Sequence, residues 1–124
     1  MTANERAKKE LDNYLKRIGY PLPGEESLKK KYLKDFKKRN KNKLDELIRR
    51  SENHEILFCA NGWTGNIGYP FIMTFNFEIA FDYAFSHGIR NGHPHLARIE
   101  YYEIGGKNHY GRPETIDYIG LKES

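Results

Sequence analysis

The chain has 124 residues, 38% of them hydrophobic and 14% aromatic, with a net charge of +4 and a pI near 9.1. That length predicts one domain with its own core. The single Cys59 excludes an internal disulfide, and no apolar run approaches the ~18 residues of a membrane-spanning helix.

Residues 4–18 read as a helix, because Leu11, Tyr14, Leu15 and Ile18 fall on one stripe, and Gly19 with Pro21–Gly24 ends it. Ser27 is the expected N-cap of a second helix running to about residue 39, with Leu28, Tyr32, Leu33 and Phe36 on its inner side. A third helix is expected over 43–52, turning Leu44, Leu47 and Ile48 inward. Beyond His54 the pattern changes. Residues 55–60 and 71–74 have strand length, and the glycine-rich 61–70 between them reads as a loop. Asn76 can cap a helix over 77–87 that Gly88 closes. Residues 96–104 form a strand with Ala97, Ile99 and Tyr101 on one face, and after a turn at 105–107 a last strand covers 115–121. The expected fold is α+β: N-terminal basic helices (1–53) packed as a cap on a small β-rich body (54–124) with one central helix, all in a single domain.

Charge divides the chain along the same line. Residues 29–50 hold eleven Lys/Arg against three Asp/Glu, whereas residues 51–124 hold five against nine. All five histidines, the only Trp and thirteen of the seventeen aromatic residues follow residue 50. The basic block predicts an anionic macromolecular partner, a nucleic acid or an acidic protein, held by Lys30, Lys34, Lys37, Lys38 and Arg39. A solvated lysine-rich helix face is the plain alternative. The N-terminal residues MTANERAKKELD have no apolar stretch, so a soluble cytoplasmic protein without a cleaved signal is expected, with no membrane and no metal partner.

The order of segments in 55–121 is similar to the mono-ADP-ribosyltransferase and toxin-like NAD-binding fold. The blocks that carry the resemblance are EILFCANG, then PFIMTFNFEIAFDYA with Thr74, Ala80, Tyr83 and Ala84, then PETIDYIGL with Glu114. The resemblance implies a protein that binds NAD or a related nucleotide and modifies a macromolecule, as a toxin or a phage host-takeover factor does. Glu114 would then be the acidic catalytic residue, with Thr74 and Asn61 as orienting groups. A carboxylate in that role stabilises an oxocarbenium-like transition state. Gly62 and its loop would hold phosphate oxygens, and Trp63, Tyr69 or Phe75 would stack on the nicotinamide. The first block departs from the family, since Cys59-Ala60-Asn61-Gly62 has no Arg or His.

A second set, Lys107, His109, Tyr110, Arg112 and Glu114, has the residue types of metal-independent ribonucleases, with His109 moving the proton. An ordinary polar loop between two strands, closed by Gly-Arg-Pro, is the favoured reading of the same residues. A non-enzymatic binder or inhibitor directed at nucleic acid remains the other class of function. His93 and His95 read as surface-loop residues, and Cys59 as a buried inert thiol. Phe77, Phe81, Tyr83 and Phe85 read as core rather than as a stacking platform.

Overall fold

A computed structural model of the chain describes residues 2–61, 72–90, 97–105 and 113–120. Its elements run α1 (Ala3–Arg17), α2 (Glu25–Arg39), α3 (Lys41–Glu52), β1 (Ile56–Asn61), β2 (Ile72–Thr74), α4 (Phe77–Arg90), β3 (Arg98–Glu103) and β4 (Glu114–Tyr118). The four strands form one antiparallel sheet in the order β2-β1-β3-β4. The architecture is α+β.

Alternation along the strands sends Ile56, Phe58, Ala60, Ile99, Tyr101 and Ile116 to the helical side, where they join the core. The facing layer is α4, whose Phe77, Phe81 and Phe85 recur every four residues and so share one stripe. Phe36 of α2 packs against Phe77 and Phe81 at ring separations of 5.6 and 5.8 Å, and Tyr32 meets Phe85 edge-on at 5.4 Å. Helix α1 lies on α4 through Tyr14, stacked on Tyr83 at 4.3 Å. The far face of the sheet holds Cys59 directly across from Glu100, both buried. The register between β3 and β4 shifts at Ile99/Glu100.

Several boundaries differ from those expected, each for a physical reason. Helix α2 starts two residues before Ser27. Gly24 takes the left-handed conformation (φ 78°), and the Glu25 carboxylate accepts the Leu22 N–H at 2.8 Å, which stabilises the turn before the helix. Gly88 does not close α4; it is buried within the last turn, and the helix continues to Arg90. Arg90 is anchored there by a two-pronged ion pair to Glu25 (2.5 and 2.8 Å), and its Nε donates to the Ile18 carbonyl. Asn76 caps α4 as expected, accepting from the N–H groups of Glu78 and Ile79.

The Glu25–Arg90 pair is almost wholly enclosed, with the Glu25 side chain 1% and the Arg90 side chain 15% exposed. Burial alone would push the Glu25 carboxyl up. The hydrogen bonds from Arg90 and from the Leu22 N–H outweigh that and hold it below its usual value.

Two outcomes follow from this packing. Phe81→Ala is expected to lower the unfolding free energy by about 3–5 kcal/mol, read as a lower urea midpoint with little change in slope. Glu25→Gln leaves Arg90 buried without a counter-charge and is expected to cost about 3 kcal/mol near neutral pH. Because the folded pKa of Glu25 is depressed, the pair's contribution is whole above the ordinary carboxylate range and is lost as pH falls through the depressed value. The gap between wild type and variant, measured by urea unfolding, should therefore close in acid.

Candidate nucleic-acid interface

At 3.6 residues per turn, Lys30, Lys31, Lys34, Lys37 and Lys38 occupy an arc of about 120° on α2. Phe36 and Tyr32 lie on the opposite side, wedged against α4. The inner side is thus fixed by aromatic packing, and the lysine side is left in solvent, where all five are exposed.

Apart from Lys41, the other basic side chains of the block are engaged within the protein. The Lys29 ammonium donates to the Tyr20 hydroxyl at 2.7 Å and lies 3.4 Å from Asp82. Burial alone would lower its pKa, but these two partners outweigh burial and hold it above the usual value. Arg50 joins α3 to the sheet through Glu103 at 2.6 Å and Glu55 at 3.3 Å, and Arg49 pairs with Glu46 one turn away. Lys43 reaches over the Tyr101 ring at 5.9 Å. Arg39, expected to dock a partner, instead ion-pairs with Asp117 and donates to the carbonyls of Tyr118 and Ile119, fastening the end of α2 to β4. Lys37 lies 3.5 Å from Glu78 with both side chains largely exposed, a pair worth little in solvent that leaves the ammonium available.

Lys30, Lys31, Lys34, Lys38 and Lys41 remain, exposed and with no ion pair among the described residues. Lys41 and Lys43 also stand in the first turn of α3, which has no acidic residue and no side-chain cap. Cations at that end oppose the dipole of α3 and so cost it some stability rather than adding to it.

Among the described residues expected at a nucleotide cleft, Thr74 and Glu114 are not brought together. Thr74, Phe58, Tyr101 and Glu114 form one cross-strand row, so Thr74 and Glu114 stand on opposite edges of the sheet, about 14 Å apart at the usual interstrand spacing. Thr74 is fully buried. Its hydroxyl donates to Asn4 and accepts from the Asn76 N–H, joining α1 to the start of α4. Glu114 is exposed and accepts from the Tyr101 hydroxyl at 2.6 Å. Phe75 packs on the His54 ring at 4.6 Å beside an open cavity of about 320 Å³ bordered by Asn4, Glu52 and Glu78. Asn61 ends β1 opposite Arg98. Gly62, Trp63, Tyr69 and His109 lie outside the described residues, as do Lys107, Tyr110 and Arg112.

Sequence reasoning missed Glu100. In an alternating strand it reads as a solvated residue, yet it is 6% exposed, 3.4 Å from the Arg98 Nε and within reach of the Thr115 hydroxyl. Cys59 faces it across the strands, and burial first, then the Glu100 charge, pushes the thiol up to about 12. Among the described residues no group of three or more His, Cys, Asp or Glu could hold a metal ion, and no helix is long and apolar enough to cross a membrane. Comparison with protein-family models, curated proteins and solved structures gives no match.

A thiol pushed up to about 12 by burial holds very little thiolate near neutral pH. Cys59 is therefore expected to react with a thiol reagent at a negligible rate in the folded protein and rapidly once denaturant is added.

Proposed function

We propose that this chain is a nucleic-acid-directed binding protein that docks on phosphate groups through the lysine face of α2. One observation carries the proposal. The fold engages Lys29, Arg39, Arg49 and Arg50 with its own acidic groups and leaves Lys30, Lys31, Lys34 and Lys38 together without such partners. A chain that needed charge only for solubility could disperse it. One that binds a polyanion gains by concentrating it, since each phosphate neutralised releases condensed counterions.

The transferase-like alternative asks for Glu114 and Thr74 around one cleft, and their separation across the sheet gives that alternative no geometric support. The ribonuclease alternative depends on residues 107–112, outside the described part of the chain.

If four lysines engage phosphates, the log–log salt slope for duplex DNA should be about −3.6, so affinity should fall roughly a hundredfold between about 50 and 200 mM salt. Fluorescence anisotropy with a labelled oligonucleotide measures this. The double variant Lys34→Glu/Lys38→Glu should bind far more weakly at low salt while keeping the wild-type circular dichroism. Salt-independent binding, or full affinity in that variant, would sink the proposal.

A further inference from the structure

The lysine face also bears on which form of nucleic acid it fits, a step that rests on the docking role just proposed. We infer that the partner is a double-helical nucleic acid, gripped along its phosphate backbone without reading base sequence.

Three observations converge. The first is spacing. Lys30, Lys34 and Lys38 follow one another every four residues, so they form a row about 12 Å long on a straight helix. One strand of a duplex offers a phosphate about every 3.4 Å of axis, so the row spans three to four phosphates. The paired strand then raises the charge density to one per about 1.7 Å, which a single strand lacks.

The second is that, among the described residues, the lysine face carries no stacking surface. Single-strand binders combine a basic groove with aromatic rings on which successive bases lie. The lysine face is the convex outer side of a helix, and its arc contains no aromatic residue. Tyr32 and Phe36 are turned into the core, and Tyr20 lies beneath the Lys29 ammonium. Among the described residues, no ring stands on this face to receive an unpaired base.

The third is the chemistry of the donors. Bases are read through planar, forked groups such as those of Arg, Asn and Gln, whereas a lysine ammonium is a mobile point charge suited to phosphate. The chain contains no glutamine. Arg39 is engaged by Asp117 and two carbonyls, and the Asn40 amide donates to the Phe36 carbonyl and to Asp117. Contacts of the remaining kind position a protein on the backbone and carry no sequence information.

The test uses the full chain and anisotropy with a 20-base-pair DNA duplex, an RNA duplex of the same sequence, each separated strand, and a second DNA duplex of unrelated sequence. At least one duplex should bind about tenfold or more tightly than its own strands, and the DNA and RNA arms identify the source of the phosphates. The two DNA duplexes should agree within about twofold. Lys34→Gln and Lys38→Gln, both at exposed positions, should each reduce the salt slope by about one unit. Tighter binding of a single strand, or a tenfold preference between the unrelated duplexes, would overturn this inference and leave the docking proposal intact. Loss of binding to every oligonucleotide, with anionic phosphatidylserine vesicles still bound, would overturn both.

Discussion

The rotational setting of α2 about its own axis is the constraint on which the rest of the molecule depends. Three anchors set it. Phe36 is wedged against Phe77 and Phe81 at mid-length, Glu25 is clasped by Arg90 at the start, and Arg39 is held by Asp117 and two carbonyls at the end. A helix rotated by a third of a turn would bury lysines and expose phenylalanine, each at a cost of several kcal/mol. With the setting fixed, the exposed lysines gather on one side. The chemistry of the surface is a consequence of the packing beneath it.

The same anchors explain the way charge is distributed. Enclosing Glu25 and Arg90 removes two ions from water, a cost recovered only by good geometry and further hydrogen bonds. Both are present, in the two-pronged contact and in the donors and acceptors contributed by Leu22 and Ile18. The pair brings together the turn after α1, the first residue of α2 and the last of α4. It specifies an arrangement of helices that apolar contacts alone would leave free to slide.

Much of the fold was legible from periodicity. The Leu11–Ile18 stripe, the alternating Ala97, Ile99 and Tyr101, and the Asn76 cap all depend on neighbours within a few residues, so local pattern was enough to find them. The ion pairs were not, because Glu25 and Arg90 lie 65 residues apart and Arg39 and Asp117 lie 78 apart. No spacing rule connects such positions. The candidate site divides in the same way. Lys30, Lys34 and Lys38 could be placed on an outer face from the helical repeat alone. Arg39 looked identical in sequence and turned out to be a fastening. Thr74 and Glu100 misled for a related reason: a polar residue in a strand looks the same whether it faces water or the interior.

The edges of the sheet have a consequence of their own. β4, an outer strand, carries Glu114 and Asp117 beside a break in register. The exposed Glu114 and the irregular pairing both discourage a foreign strand from adding to that edge. Two copies meeting at that side would thus face a charged, irregular edge, which disfavours building a shared sheet.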